Sequence, residues 1–443
     1  MAVLISKHEF VLDRRERKMI ETIINAIKDN HADAYSIRKA EEQAAELYFV
    51  KKELDMRRLT DTVTYEVTVY RDMEKDGVRM RGMSTANILP QMDAGMVKKK
   101  IDDAYFAAQF ALNKYFELPK GKKEEHVVID SALNKMTLED IADAFVKALY
   151  DADVRNDSFI NSSEFFAKRE NITIYNSEGI EESYTDNFVK GEFVVQCREP
   201  QDVEMYQDFE YKDLDTEALN RQAAEALETV CARANAIKAP NSGNYDVILS
   251  GKNLRTMLDF YLDRSNVAYI YAKYSDYKPG MQVQGDSVTG EKLNITLKAT
   301  KPYSYEGIHM KDESLVENGE LRMIYGNHRF SSYLGVKSTG NYEAVVLNNG
   351  TESMEDMKKT PYLYVVNFSD FQMDSFTGHF GGEIRLAYLY DGDKVTPVTG
   401  GSVNGSIIEM QNNLVFSTEK YKNSTYEGPF AVKMKNVPVA GAD

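Results

Sequence analysis

The chain has 443 residues and a formal net charge of −16, with 70 acidic against 54 basic side chains. Its length predicts two or three domains. The acidic balance argues against nucleic acid as a partner, because phosphate backbones are bound by clustered lysine and arginine. No apolar run reaches the roughly 18 residues that a membrane-spanning helix needs, so we expect no membrane association.

The amino-terminal apolar run, within "MAVLISKHEF", is shorter than the roughly 7–15 apolar residues of a secretory signal. The two cysteines, Cys197 and Cys231, make no disulfide framework and no CxxC motif. Both lie in apolar surroundings and are expected to be buried, unreactive thiols. These observations predict a cytoplasmic location.

Helical and strand patterns are mixed in the first half of the chain. Apolar residues that recur at three and four positions predict helices, and alternation predicts half-buried strands. The predicted elements are a helix at Arg15–Asp29, a strand at Val63–Val69, a hairpin turn at Asp76-Gly77, a helix from about Met96 to Phe116, a helix after the capping box Thr137-x-x-Asp140, strand segments "FINSSEFFAKR", "NITIYNSEG" and "KGEFVVQC", and a helix at Asp215–Ala236.

The strongest linker signal is Pro240–Gly243, and the texture of the sequence changes after it. From Tyr245 onward one helix is followed by short strand-type runs such as "TPYLYVVNF" and "GGEIRLAYLY", separated by glycine turns. We therefore predict an α+β fold. An α/β amino-terminal domain, residues 1–238, is followed by a β-rich carboxyl-terminal domain, residues 239–443.

Four glycines lie in "DGDKVTPVTGGSVNGSI", residues 391–407: Gly392, Gly400, Gly401 and Gly405. The segment lacks the lysine of a phosphate-binding P-loop and the G-x-G-x-x-G spacing of a dinucleotide site. Glycine tolerates the positive φ of tight turns, so the pattern predicts turns between short strands.

A series of turn motifs recurs in a characteristic order. The motifs are "YNSEG", "YDVILSGKNLRTML", "VTGEKL", "EGIHMKDESLVENGEL", "SSYLGVKSTGN", "DSFTGHFGGEIRLAYLYDGDKVTPVTGGSVNGSI" and "PVAGAD". In their order and spacing they resemble the TldD/PmbA family, whose members were named modulators of DNA gyrase. The resemblance covers most of the chain and is strongest after residue 245. It implies a relationship to a cytoplasmic metallopeptidase.

In that family the catalytic subunit, TldD, carries HExxxH on a helix. The resemblance implies that a catalytic member has two zinc-binding histidines and a glutamate base in this motif, and a further cysteine ligand near its carboxyl end. The matching helix here reads "LRTMLDFYLDRSN". It places Asp259 and Arg264 at the histidine positions and Phe260 at the glutamate position. No cysteine follows Cys231. We therefore predict no catalytic residue, no metal and no cofactor on this chain.

The same helix has an apolar stripe that predicts a structural role. The stripe recurs at i, i+3, i+4, i+7 and i+8, and its members are Leu254, Met257, Leu258, Tyr261 and Leu262. If Asp259 and Arg264 are vestiges of the metal helix, we expect them near the wall of a cleft; five residues turn about 500°, so the helix geometry does not require a direct pair.

The loss of the motif resembles the TldE/PmbA branch, which is the non-catalytic half of a heterodimer. The resemblance implies a dimer with a metal-bearing TldD-like subunit or with a second copy, and peptides or unfolded chains as substrates of the complex. An alternative is a stand-alone regulatory or peptide-binding protein without a role in proteolysis. An enzyme with an unrecognised site at His309, His328 and His379 is a further alternative. None of the six histidines has a paired metal-ligand spacing such as HxxxH, although His309 and Glu313 are four apart.

Tyrosine is abundant, with 28 residues and no tryptophan. Five tyrosines are concentrated within and just after the matching helix: Tyr261, Tyr269, Tyr271, Tyr274 and Tyr277. They favour either a peptide or protein interface or a set of rings in the core, and the sequence leaves both open.

Overall fold

The structure is a computed structural model that describes residues 14–348 and 350–441. The amino-terminal apolar run and the last two residues of "PVAGAD" lie outside these ranges. Within them, every helix is too short or too polar to cross a membrane.

The first half contains a large, mainly antiparallel sheet in the strand order β4-β3-β2-β1-β6-β7-β5, with β8 beside β7. Only the short β5 pairs in parallel, with β7. The strands are β1 (Ala34–Val50), β2 (Glu53–Lys75), β3 (Val78–Ile88), β4 (Leu112–Lys114), β5 (Val127–Val128), β6 (Ser158–Asn176), β7 (Glu181–Cys197) and β8 (Val203–Tyr211); the helices are α1 (Arg14–Asp29), α2 (Ala94–Ala108), α3 (Leu138–Asp151) and α4 (Thr216–Ala234), with a 3-10 helix at Ala132–Lys135.

Helices cover one face of this sheet. Ile37 packs in the core beneath α1 and α2, and Ala45 and Leu47 pack in the core beneath α3 and α4. Because side chains alternate along a strand, these odd-numbered residues of β1 point to the same face. The opposite face carries Ile172, Tyr184 and part of the loop around Tyr303.

The predicted elements of this half are confirmed, with two differences. The capping box is present, since the backbone N–H of Asp140 donates to Thr137 Oγ at 3.1 Å. The helix predicted to reach Phe116 ends at Ala108, and the chain returns as β4. A Cβ at Gly82 of β3 would lie 2.0 Å from Ala108 O, so the helix end abuts the strand and cannot continue. The segments "FINSSEFFAKR" and "NITIYNSEG" form the single strand β6.

The second half contains two further sheets. One has the order β12-β11-β10-β13-β20-β19; the other has the order β14-β9-β21-β17-β15-β16, with β18 beside β21 and an extra pairing between β14 and β15. The strands are β9 (Gly243–Ser250), β10 (Ile295–Lys298), β11 (Glu313–Glu317), β12 (Glu320–Leu321), β13 (Ala344–Leu347), β14 (Tyr362–Met373), β15 (His379–Tyr390), β16 (Val395–Val398), β17 (Ser402–Ser406), β18 (Val415–Phe416), β19 (Lys420–Lys422), β20 (Tyr426–Pro429) and β21 (Ala431–Ala440). The helices are α5 (Lys252–Met257), α6 (Asp259–Ser265), α7 (Val267–Tyr271), α8 (His328–Leu334), α9 (Met354–Met357) and α10 (Ile407–Met410), with a 3-10 helix at Gln411–Asn413.

The pairing of β14 with β15 closes strands β14, β9, β21, β17 and β15 into a ring. The glycine-rich segment supplies turns to this ring, as predicted: Gly392, Gly400 and Gly401 have positive φ. Gly405 differs, because it lies within β17. The fold is α+β with a β-rich carboxyl-terminal part, while the domain division after residue 238, between α4 and β9, stays a prediction.

Candidate functional site

The segment that matches the family's metal helix forms two short helices, α5 and α6, joined at Leu258. At the junction the N–H of Leu258 donates to Arg255 O, three residues back, which is a tightened 3-10-type turn. The prediction of one continuous helix is therefore wrong. The apolar stripe is confirmed, since each of its five members is at most 5% exposed.

Phe260 occupies the position of the family's glutamate base. It is 3% exposed and lies in the hydrophobic core of the second half, together with Phe380 and Ile407. Its ring meets the ring of Tyr261 edge-on, with 5.2 Å between centroids. A side chain at this position is sealed from water, so it cannot exchange a proton with a metal-bound water.

Arg264 occupies the position of the second histidine. Its guanidinium carbon lies 5.3 Å from the ring centroid of Phe260 and 4.8 Å from that of Tyr277. Arg264 Nη2 also lies 3.0 Å from Asp276 Oδ1, in an ion pair whose aspartate is largely exposed. Two rings and one carboxylate therefore hold this cation in place.

Arg264 lines a shallow depression of about 440 Å³. Its other lining residues are Ile270, Lys273, Tyr274, Ser275 and Asp276. Asp259 is not among them: it is partly exposed and receives a hydrogen bond from Arg255, one turn earlier. Arg264 therefore lines this depression, Asp259 pairs with Arg255, and Arg264 pairs with Asp276.

A second carboxylate, Asp263, lies one turn after Asp259. Ser375 Oγ donates to Asp263 Oδ2 at 2.7 Å. Burial, followed by the nearby charge of Asp259, raises the pKa of Asp263. Across the described ranges, no group of three His, Cys, Asp or Glu side chains could hold a metal ion.

The three histidines of the carboxyl-terminal half have different partners. His328 Nδ1 lies 2.8 Å from Ser338 Oγ, and its Nε2 lies 2.8 Å from the carbonyl oxygen of Glu117. The ring of His309 packs against Tyr303, at 4.8 Å between centroids. His379 begins β15 and is exposed. As placed, they do not assemble a metal group in the part of the chain that the structure describes.

The two cysteines are free and buried, as predicted. Burial raises the pKa of Cys231 to about 11. The nucleophilic thiolate is therefore scarce at neutral pH.

The tyrosine cluster divides between core and surface. Tyr261 and Tyr277 are buried, whereas Tyr274 is 57% exposed. Phe376, which is 53% exposed, stacks on Tyr269 at 5.5 Å and meets Tyr274 edge-on at 5.1 Å. We call Tyr269, Tyr274 and Phe376 the aromatic patch.

Sequence reasoning missed Ser375 and Phe376 as neighbours of the helix that carries Asp259, Phe260 and Arg264. They lie in the turn between β14 and β15, more than a hundred residues after α6. The one available signal was their place within the family-type motif "DSFTGHF".

The carboxyl-terminal half matches a known domain family. Residues 242–441 match the PmbA/TldA metallopeptidase C-terminal domain. A curated relative, the metalloprotease TldD homolog of Buchnera aphidicola, is 29% identical over 150 residues. That match covers 30% of this chain and spans about a third of the relative, 31% of its length.

Solved structures share the fold over nearly the whole chain. TldE from Thermococcus kodakarensis has a TM-score of 0.74 at 17% identity and covers 95% of this chain and 100% of its own. A protein from Bacteroides thetaiotaomicron, named as a modulator of DNA gyrase, has a TM-score of 0.77 at 17% identity, with 98% and 100% covered. A protein of the same description from Thermotoga maritima has a TM-score of 0.72 at 16% identity, with 96% and 100% covered. The carboxyl-terminal half therefore matches the PmbA/TldA metallopeptidase C-terminal domain, and the chain as a whole shares the fold of these solved structures.

Proposed function

We propose that this chain is the non-catalytic, TldE/PmbA-like subunit of a TldD/TldE-type metallopeptidase that acts on peptides or unfolded chains. One observation carries the proposal. The positions that match the family's zinc motif hold a core-buried ring, Phe260, and an anchored cation, Arg264.

The chemistry of zinc explains why these residues disqualify the site. A catalytic zinc takes three protein ligands and keeps a fourth position for water. Asp259 offers the one metal-binding side chain among the three positions, and Arg255 already binds that carboxylate. The guanidinium of Arg264 repels a metal cation, and Phe260 has no group that can accept a proton.

The aromatic patch supports a binding role beside this site. Exposed tyrosine and phenylalanine rings offer a broad contact area at a low cost in conformational entropy, which suits peptide or subunit recognition. The patch borders the depression at Arg264, since Tyr274 belongs to both. We also propose a cytoplasmic location, which two free cysteines favour because such a compartment keeps thiols reduced.

The test is reconstitution with an HExxxH-bearing subunit from the same organism. We expect the two chains to co-purify and to hydrolyse an unfolded substrate such as reduced casein, while this chain alone is inactive. The matched control is a partner whose motif glutamate is replaced by glutamine, which should bind this chain without activity. Failure to co-purify, with full activity of the partner alone, would favour the stand-alone regulatory alternative.

A further inference from the structure

One edge of strand β2 lacks a neighbouring strand along its amino-terminal half. β1 pairs with β2 from Glu53 onward, whereas β3 pairs only with Tyr65–Lys75. Among the residues that the structure describes, the second edge of β2 from Glu53 to Thr64 therefore carries no strand. The unpaired backbone groups of such an edge are a template for another extended strand. We call residues 56–62 the open edge, because the pairing of β2 with β1 is regular from Met56 onward.

The open edge reads "MRRLTDT", and its charges are arranged antisymmetrically about the central Leu59. Arg57, Leu59 and Asp61 share one face of the sheet, because side chains alternate along a strand. Leu59 is 62% exposed. Arg57 has no hydrogen bond or ion pair with the described residues, and Asp61 accepts a hydrogen bond of 3.4 Å from Gln43. An apolar side chain flanked by opposite charges is thus presented to solvent beside an unpaired backbone.

We propose that the open edge pairs with the open edge of a second copy of this chain, as antiparallel strands related by a twofold axis at Leu59. A twofold axis perpendicular to the sheet pairs residues that lie equally far on either side of it. Leu59 then meets its own copy, and Arg57 of each chain lies opposite Asp61 of the other. Cross-strand pairs of apolar side chains and of opposite charges both stabilise a sheet.

Charge complementarity selects this register and a second copy as the occupant. An axis one residue earlier, at Arg58, would place the two Arg58 side chains opposite each other, and like charges in that position destabilise a sheet. An axis one residue later, at Thr60, would place Arg57 opposite Val63, without a counter-charge. Charges that only protect an edge repel a second copy of it, whereas the register at Leu59 makes these charges attract.

The contact is small, because it is confined to the seven residues of "MRRLTDT" on each chain. Interfaces that bury less than about 1,200 Å² in total are typically weak and transient. We therefore expect a dimer that forms as the protein concentration rises. The contact uses neither Arg264 nor the aromatic patch, so it is independent of the proposed function.

Cysteine cross-linking of the full chain tests the position of the axis. Directly opposite residues of antiparallel strands have Cα atoms about 4.5–5.5 Å apart, within the roughly 4.4–6.8 Å that a disulfide spans. Leu59→Cys should therefore give a disulfide-linked dimer on oxidation, which a reductant reverses. The control is Thr62→Cys, which is also exposed, and whose two copies would lie about 20 Å apart in this register. Both native cysteines are buried, so they contribute little background.

Sedimentation equilibrium of the full chain tests the two charge pairs. The weight-average mass of the unmodified chain should rise with concentration toward that of a dimer. Arg57→Asp places a carboxylate opposite Asp61 in both pairs and should weaken association at least about tenfold, as should Asp61→Arg. The two changes combined restore opposite charges and should return the affinity to within about threefold of the original. Lys99→Asp, an exposed position on α2, is the control and should change the affinity by less than about twofold.

Three outcomes would overturn the proposal. The chain could remain monomeric at every concentration, which would leave the open edge to a strand of a different protein. Leu59→Cys could cross-link no faster than Thr62→Cys, which would exclude an axis at Leu59. The combined variant could associate as weakly as either single variant, which would show that Arg57 and Asp61 do not meet across the interface.

Discussion

Replacing Phe260 by alanine tests whether the position of the family's base has become part of the core. The ring is 3% exposed and lies among the largest hydrophobic cluster of the second half. Removing a buried phenylalanine costs about 3–5 kcal/mol, the sum of lost burial and a residual cavity. Arg264 also loses a ring 5.3 Å away, which adds about 0.5–1 kcal/mol. We expect a total loss of roughly 3.5–6 kcal/mol.

The assay is urea denaturation followed by circular dichroism, with the free energy taken from the transition of the carboxyl-terminal part. Phe110→Ala is the control, because Phe110 is 72% exposed and its removal should cost within about 1 kcal/mol. A loss below about 1 kcal/mol for Phe260→Ala would refute the reasoning, since the ring would then not fill a core site.

Three further predictions follow from the same structure. Restoring the family motif with Asp259→His, Phe260→Glu and Arg264→His should give at most weak zinc binding and no peptidase activity, because the late cysteine is absent and a carboxylate at position 260 is buried. Burial, with a smaller contribution from the charge of Glu124, raises the pKa of Glu182 to about 7. The free energy of unfolding of the unmodified chain should fall relative to that of Glu182→Gln between about pH 4.5 and 7, by at most about 3 kcal/mol. Above that range the difference between the two free energies should be constant. Gly401→Ala should destabilise by about 2–4 kcal/mol in urea denaturation, because φ there is +76° and a Cβ would lie 2.4 Å from the carbonyl oxygen of Ala440.

Each of these predictions has a contradicting outcome. Peptide hydrolysis by the triple variant would mean that the rest of an active site persists. The direction of this pH dependence follows from linkage. The folded chain binds the Glu182 proton more tightly than the unfolded chain, so the stabilisation by that proton is present at low pH and is lost as pH rises. If the difference in stability between the unmodified chain and Glu182→Gln did not change with pH, Glu182 would not be desolvated. For Gly401, the control is Gly243→Ala, where a Cβ meets nothing nearer than 3.8 Å, and equal losses would refute the steric reasoning.

Local patterns predicted the helices and strands well where one element buried one face. α1 and α3 follow from apolar spacing and a capping box, both of which are properties of neighbouring residues. The end of α2 was missed because it depends on contact with β3, and contacts between distant segments leave no local periodicity. The break at Leu258 was missed because the buried stripe continues through it.

The candidate site was only partly predictable for the same reason. The vestigial positions Asp259, Phe260 and Arg264 came from a motif match, whereas the burial of Phe260 was not predicted, because Phe260 lies outside the predicted apolar stripe. Their partners come from elsewhere: Asp276 from a loop after α7, and Phe376 from the turn between β14 and β15. Which ring or carboxylate meets a given side chain is decided by the closing of the sheets, and a single sequence does not show it.

The most direct test of the central claim is the zinc content of the purified chain, measured by inductively coupled plasma mass spectrometry after dialysis against metal-free buffer. The vacant motif predicts substoichiometric zinc, unchanged in Asp259→Ala, because that carboxylate is bound by Arg255 and has no second ligand beside it at the motif positions. One zinc per chain that survives dialysis, and is lost in Asp259→Ala, would contradict the non-catalytic assignment.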